Sequence, residues 1–257
     1  MILTDTHCHL YLDKFAGDLN NVLQRAADAG VRHIYLPAID WNSLPAMEKL
    51  AHPQISFYKM VGIHPCDVQN NWPLDEERLA ELASDETYVA VGETGLDYYW
   101  SKDHISKQKK SLTAHCRVAK EVQKPVILHN RESTADLLDL IEAEQDGTMA
   151  GIWHCFTGSV EEGKRALDLG LHLGIGGVLT FKNAGVAEVV KQLPLEKMLL
   201  ETDAPFLSPS PKRGKRNEPS YVAYTANKLA GLMEMPVEEI AKITTANASS
   251  LFAGKAK

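Results

Sequence analysis

The sequence is poor in cysteine and has no long apolar run. Its four cysteines are scattered over 257 residues without a CxxC pair. We therefore expect no disulfide framework but reduced thiols, as in a cytoplasmic protein. No window reaches the roughly 18 apolar residues that a membrane-spanning helix needs. No basic stretch followed by an apolar run marks a signal peptide at the start. A membrane partner is accordingly not expected.

Positive charge is also scarce. Lys and Arg together number 27 against 34 Asp and Glu, which gives a net charge of −7. An acidic surface repels a nucleic-acid backbone, so the chain is not expected to wrap duplex DNA. Any contact with a polyanion must come from a local group of cations. The composition is otherwise that of an ordinary globular protein and excludes disordered, collagenous and coiled-coil chains.

Short apolar runs of strand character alternate with amphipathic helical stretches along the chain. The eight candidate strands are 2–7, 33–39, 55–65, 88–96, 125–130, 150–156, 171–180 and 197–205. Eight such units in about 250 residues predict an α/β fold, the (β/α)8 TIM barrel, in one domain spanning 1–257. Two further C-terminal helices are expected to close it. A doubly wound open sheet is the alternative, but no glycine-rich phosphate-binding motif opens the first helix.

Polar side chains stand where the predicted strands end, at the rim where this fold keeps its catalytic groups. His7 and His9 are two residues apart, so on an extended strand both project to the same side. His129, His154 and Asp203 each end another strand. Hydrogen-bonded histidines would explain an isolated pair, but this convergence favours a metal site. Imidazole and carboxylate donors suit Zn, Mn, Fe or Co, and occasionally Mg.

Glu93 lies between two glycines in VGETGLD, where a carboxylate can project into the rim. A capping or salt-bridging glutamate is the structural alternative. A central carboxylate can bridge two cations, which is the arrangement that two-metal hydrolysis requires. One ion would then lie on His7, His9 and Asp203, and the other on His129 and His154.

Two further rim residues remain open in role. His64 precedes Pro65 and is compatible with a metal ligand, a proton donor, a substrate contact or an ordinary histidine at the core edge. Arg131 lies two residues beyond His129, on the same side of the strand. Contact with an anionic substrate and a structural salt bridge are both compatible with this position. We place both residues among the expected substrate contacts.

The segment PSPKRGKRNEP follows the last predicted strand and is strongly basic. Its cations are Lys212, Arg213, Lys215 and Arg216. Loops after strands seven and eight of a barrel commonly bind phosphate. A solvated charged face is the alternative, but the position beside Asp203 favours a phosphate clamp, with Lys215 and Arg216 as the substrate contacts.

Taken in order, these motifs resemble the TatD family of metal-dependent deoxyribonucleases, within the amidohydrolase-like barrels. The matching segments are DTHCHL, GIHP, VGETGLDY, ILHNR, WHCFTGS, GIGG, LLETDAP and KRGKRNEP. The resemblance implies a two-metal phosphodiesterase that acts on DNA, commonly from a 3′ end. It also implies the ligands His7, His9, Glu93, His129, His154 and Asp203. The aromatic stretch LDYYWSKDH departs slightly from the family pattern and has no evident role.

The expected reaction is hydrolysis of a phosphodiester with two divalent ions, Zn, Mn or Mg, as cofactors. Asp203 would help to accept the proton of a metal-bound water, and Glu201, on the same face, would orient a ligand. DNA with single-stranded or frayed ends is the expected partner, and no obligate protein partner is inferred. The rival enzyme hydrolyses an ester, lactone or amide, including an aminoacyl-tRNA ester. The non-enzymatic rival is a metal-binding or partner-binding scaffold.

Overall fold

Eight parallel strands form one sheet whose strand order follows the chain, from β1 to β8. This computed structural model describes residues 1–100 and 102–253. The strands are β1 Leu3–Asp5, β2 Val31–Pro37, β3 Ser56–Val61, β4 Tyr88–Asp97, β5 Val126–Arg131, β6 Gly151–Trp153, β7 Leu171–Ile175 and β8 Met198–Leu200. Each of these strands overlaps one of the eight predicted strands. The prediction of a TIM-barrel fold is confirmed.

Helices cover the outside of this sheet. Among the described residues they are α1 Leu19–Asp28, α2 Leu44–Met47, α3 Glu76–Ser84, α4 Ile105–Glu121, α5 Thr134–Glu144, α6 Val160–Asp168, α7 Val186–Val190, α8 Val222–Met233 and α9 Val237–Phe252. The helix between β2 and β3, α2, has only 4 residues. None of the helices in the described part of the chain combines the length and apolarity that crossing a membrane demands.

The sheet closes on itself through a seam between residues 6–9 and residues 200–204. The backbone N–H of Thr6 donates to the carbonyl of Leu200 at 3.0 Å, and that of His9 donates to Ala204 at 2.8 Å. In the opposite direction, the N–H of Asp203 donates to the carbonyl of His7 at 2.9 Å. The seam therefore lies beyond the ends of β1 and β8, in the segments that carry polar side chains.

The inside of the barrel is filled by one apolar cluster, to which most strands contribute a side chain. Its buried members are Tyr35, Met60, Ala90, Ile127, Ile152, Leu199 and Ala248. Helix α9 supplies Ala248 and also packs Phe252 against this cluster, with its ring stacked on Tyr35 at 4.1 Å between centroids. The last helix thus covers the N-terminal mouth of the barrel, as expected for a closing element.

Several strands are shorter than predicted. The predicted strand 171–180 ends at Ile175, and Gly177–Thr180 forms a 3-10 turn instead. A side chain at Gly177 would lie 2.4 Å from the carbonyl oxygen of Leu207, so this segment bends to pass under the loop after β8. The predicted strand 197–205 also ends early, at Leu200, and the residues after it continue as the rim segment that pairs with residues 6–9 across the seam.

Glycines let β4 pass close to β5 at the point where polar side chains emerge. Gly95 has φ +135°, and a Cβ there would meet the carbonyl oxygen of His129 at 2.0 Å. Gly92 has φ +147°, and its Cβ would lie 2.7 Å from that of Ile127. Only glycine tolerates both the backbone conformation and the approach. The two glycines therefore bring Glu93 against the end of β5.

We expect Gly95→Ala to lower the free energy of unfolding by roughly 2 kcal/mol or more. Overpacking costs about 1–3 kcal/mol, and a left-handed non-glycine residue adds about 1–2 kcal/mol. Gly17→Ala is the matched control, because nothing lies within 4 Å of its Cβ and its φ is not positive. Urea unfolding of both variants measures the difference, and equal midpoints would contradict this account.

Candidate active site

His7, His9 and Asp203 meet across the seam. The Nε2 atoms of the two histidines are 3.2 Å apart, and Asp203 Oδ1 lies 3.9 Å from His7 Nε2 and 3.5 Å from His9 Nε2. Both imidazoles are buried, and the Asp203 side chain is 13% exposed. These donor atoms are close enough to share one cation.

Glu93 stands at the centre of the cluster, and its side chain is 2% exposed. Its Oε2 lies 3.2 Å from His7 Nε2 and 3.5 Å from His9 Nε2. Its Oε1 lies 3.1 Å from His129 Nδ1 and 3.0 Å from His154 Nε2. The two oxygens of one carboxylate therefore face two different pairs of histidines.

The far ring nitrogens show which atoms are free to bind a cation. Tyr11 donates its hydroxyl to the carbonyl of Pro37 at 2.7 Å, so its oxygen accepts from His9 Nδ1 at 2.9 Å. His9 Nε2 then carries a lone pair toward the cluster. His129 lies between two carboxylates, with Nε2 at 3.0 Å from Asp97 Oδ2 and Nδ1 at 3.1 Å from Glu93 Oε1. A proton held on Nε2 by Asp97 leaves the Nδ1 lone pair for a cation on the Glu93 side.

Glu201 supports His154 from behind. Its side chain is fully buried, with Oε1 at 3.5 Å from His154 Nδ1 and accepting the N–H of Cys155 at 2.6 Å. A side chain at Gly174 would lie 2.2 Å from Glu201 Oε2, so the glycine in β7 makes room for this carboxylate. Glu201 thus lies behind the histidine, as expected for an orienting group.

The electrostatics of the cluster favour positive charge. Burial alone would raise the pKa of Glu93, but His7 and His154 hold it well below its ordinary value. Burial alone would lower the pKa of His154, yet the Glu93 and Glu201 carboxylates raise it well above the usual range. Buried carboxylates need positive charge beside them, which protonated imidazoles supply in the absence of a metal and a bound cation would supply in their place. The imidazole and carboxylate donors therefore fit a metal ion.

His64 lies at the same rim, but the nitrogen that faces Glu93 carries a proton in its neutral ring rather than a lone pair. The backbone N–H of Cys66 donates to His64 Nδ1 at 3.1 Å, which places the proton of the neutral ring on Nε2. That atom lies 3.6 Å from Glu93 Oε1. Burial lowers the pKa of His64 to about 3, so the neutral form prevails. Among the roles left open by the sequence, the geometry favours an N–H donor over a ligand through Nε2.

Sequence reasoning missed the residues that hold these groups in place. Asp5 is fully buried and accepts hydrogen bonds from the Thr202 backbone at 2.9 Å and its hydroxyl at 2.6 Å. Burial raises the pKa of Asp5 to about 8. His115 on α4 accepts the N–H of Ile63 at 3.0 Å, next to His64. Asp5 and Tyr11 lie within two residues of a predicted ligand, and that proximity was the available signal.

The basic loop is largely fastened to the barrel. Arg216 forms a two-armed ion pair with Asp18, at 2.7 and 2.8 Å, and donates to the carbonyl of Lys14 at 2.6 Å. The expected phosphate contact at Arg216 therefore competes with a structural partner. Lys215 is exposed and remains the better candidate. Arg131 is exposed as well, and its guanidinium lies 3.6 Å from the centroid of the Tyr99 ring.

Comparison with known proteins decides the family. The family model described as "TatD related DNase" matches residues 4–253. The chain belongs to the TatD family. It is 42% identical over 252 residues to the metal-dependent hydrolase YabD of Bacillus subtilis, covering 98% of this chain and 99% of that protein. It is 37% identical over 256 residues to the metal-dependent hydrolase YcfH of Escherichia coli, covering 98% and 96% of the two proteins.

The TatD fold is also found in solved structures. The crystal structure of YjjV, a TatD homologue from Escherichia coli, superposes with a TM-score of 0.89 at 32% identity, over 98% of both chains. A TatD family hydrolase from Entamoeba histolytica gives a TM-score of 0.83 at 23% identity, over 98% of both chains, which bears on the fold alone. Family membership and the convergent donor cluster make this chain a metal-dependent hydrolase of the TatD family.

We expect Tyr11→Phe to weaken Zn²⁺ binding by about 10–100-fold, as losses of groups that orient a metal ligand do. The substitution keeps the ring but removes the oxygen that accepts from His9 Nδ1. Tyr58→Phe is the matched control, because its hydroxyl lies 3.3 Å from His33 Nδ1, a pair outside the donor cluster. Calorimetric titration of chelator-treated proteins measures both. Equal affinities in the two variants would count against the assigned His9 tautomer.

Proposed function

We propose that this TatD family member is a two-metal deoxyribonuclease that removes nucleotides from the 3′ end of single-stranded or frayed DNA. The observation that carries the proposal is Glu93, whose two oxygens each face two imidazole nitrogens at 3.0–3.5 Å. A carboxylate so placed suits two cations better than one. The family description, TatD related DNase, supplies the substrate class.

The chain's donors divide into two sets around Glu93. His7, His9 and Asp203 would hold one ion. His129 and His154, whose nitrogens both face Glu93 Oε1, would hold the other, with Zn, Mn or Mg as candidates. Two divalent ions supply a water of lowered pKa and stabilise negative charge on the attacking and leaving oxygens. Tyr11, Asp97 and Glu201 keep the imidazole rings oriented for this task.

Asp203 is the carboxylate placed to accept a proton from the attacking water. Its side chain is 13% exposed, whereas that of Glu93 is 2% and that of Glu201 is fully buried. Burial would raise the pKa of Asp203, but the imidazoles of His9, His154 and His7 hold that pKa below its ordinary value, so the carboxylate stays ionised. His64 presents its Nε2–H to the same space and would donate to a phosphoryl oxygen of the substrate.

The substrate is tested with a DNA oligonucleotide labelled at its 5′ or 3′ end, alongside a panel of lactones and esters. A 3′ exonuclease releases the 3′ label first as mononucleotide and shortens the 5′-labelled strand step by step. Turnover of a lactone or ester, with intact DNA at high enzyme concentration, would replace the nuclease with the rival hydrolase. Metal-loaded protein that turned over neither class of substrate would contradict both proposed reactions.

Glu93→Gln is expected to reduce kcat by several orders of magnitude, because it removes the charge shared by both halves of the site. Glu201→Gln keeps the shape and changes only a group behind His154, so a loss of about 10–100-fold is expected. Both variants should retain the circular dichroism spectrum of the parent. Near-normal kcat in the Glu93 variant would rule out the central carboxylate as part of the machinery.

We expect two cations of the basic loop to have different roles, Arg216 in the stability of the fold and Lys215 in DNA binding. Arg216→Gln leaves Asp18 without its two-armed partner and should lower the melting temperature. Lys215→Gln removes an exposed cation and should leave the melting temperature unchanged while flattening the salt dependence of DNA binding, because fewer counterions are released. An unchanged salt slope in Lys215→Gln would show that this side chain does not contact the phosphate backbone.

A further inference from the structure

An exposed pair of aromatic rings lies directly outside the His129 side of the site. Tyr99 is 51% exposed and Trp100 is 69% exposed, and their rings pack edge to face with centroids 5.1 Å apart. They belong to the aromatic stretch after β4, for which the sequence indicated no role. Because the two exposed rings adjoin each other beside the donor cluster, they form a contact surface at the site rather than scattered surface residues.

The turn that carries these rings is tied to the donor cluster through Asp97. The Oδ1 atom of this carboxylate accepts the backbone N–H groups of Tyr99 and Trp100, at 3.0 and 3.2 Å. Its Oδ2 lies 3.0 Å from His129 Nε2. The backbone that carries the two rings is therefore anchored beside the expected reaction centre.

A cation accompanies the rings. Arg131, on β5 opposite Asp97, lies 3.6 Å from the centroid of Tyr99 and 5.3 Å from that of Trp100. Such a group offers a flat surface and a positive charge together. Nucleobases stack on aromatic rings and on guanidinium planes, and the charge attracts the adjoining phosphate.

A smaller copy of this arrangement lies on the opposite side of the cluster. Phe206 is 43% exposed, and its ring centroid is 6.2 Å from that of His9. The ammonium of Lys14 sits 4.7 Å from the centroid of the Phe206 ring. A strand that crosses the donor cluster would thus meet an aromatic ring and a cation on either side.

We infer that Tyr99 and Trp100, backed by Arg131, form a stacking platform for unpaired nucleobases next to the scissile phosphate. This inference rests on the proposed nuclease function and adds a basis for strand selection. Bases inside a duplex cover each other's faces, so only a single strand or a frayed end can stack on the platform. The guanidinium of Arg131 and the ammonium of Lys14 provide, at the rings, the local positive charge that a polyanion needs on a chain of net charge −7.

The test compares two oligonucleotides with the metal-loaded enzyme. One is a single-stranded thymidine oligomer, and the other has the same length but abasic residues next to the 3′ terminus. Steady-state KM and kcat are measured for the parent, Trp100→Leu, Tyr99→Leu and the conservative Trp100→Phe. Loss of stacking on one base should raise KM for the thymidine oligomer about 5- to 150-fold, the equivalent of ~1–3 kcal/mol.

We expect both leucine variants to show this rise with kcat changed less than about 3-fold, and Trp100→Phe to restore most of the loss. On the abasic oligomer, parent and variants should have the same KM, because no base remains to stack. Ordinary KM values for the thymidine oligomer in the leucine variants would overturn the platform and leave the nuclease intact. An equal rise on both oligomers would also overturn it, since the rings would then act on the backbone or the fold.

Two other results separate this inference from its foundation. A parent enzyme that cleaves neither oligomer would overturn the proposed nuclease function, and the platform with it. A dimer of the parent that dissociates in Trp100→Leu, measured by light scattering, would assign the rings to contact between two copies and overturn the nucleobase platform alone.

Discussion

The site depends on one set of backbone hydrogen bonds, those of the seam that closes the barrel. Residues 6–9 and 200–204 are almost two hundred positions apart, yet Thr6, His9 and Asp203 exchange N–H···O bonds across the seam at 2.8–3.0 Å. The buried Asp5 adds side-chain bonds to Thr202 between them. Closure of the sheet and convergence of His7, His9 and Asp203 are therefore one event. A barrel that failed to close would lose the donor cluster together with the hydrogen bonds of the seam.

The second constraint is the cost of burying charge. Glu93 is almost inaccessible to water, and an isolated buried carboxylate would be strongly destabilising. The four histidines around it make the ionised form tolerable, and the far nitrogens of three of them, His9, His129 and His154, face Tyr11, Asp97 and Glu201. The residues behind the imidazoles are thus as necessary as the imidazoles themselves. Without it the rings could rotate or change tautomer, and the lone pairs would no longer point at one place.

The fold and the converging donors could be predicted from local patterns, whereas their supports could not. Apolar runs located all eight strands, because a strand of a parallel sheet is buried on both faces and its sequence is therefore a nearly continuous apolar run. His7, His9, Glu93, His129, His154 and Asp203 followed because topology brings strand ends together. The Arg216–Asp18 pair could not be foreseen, since its partners are 198 positions apart and the charge pattern of the loop does not reveal which cation is engaged. The early end of β7 could not be predicted, because Gly177–Thr180 is as apolar as the strand before it.

Asp97 uses its two oxygens for different purposes, and this has a thermodynamic consequence. One oxygen accepts from the Tyr99–Trp100 turn and the other lies against His129. A movement of the turn must therefore reach the imidazole through a single rigid carboxylate. Linkage is reciprocal, so whatever factor an occupied turn applies to cation affinity, a bound cation applies to the occupancy of the turn. On the proposed function, substrate binding at the turn and cation binding at His129 would share a single coupling free energy.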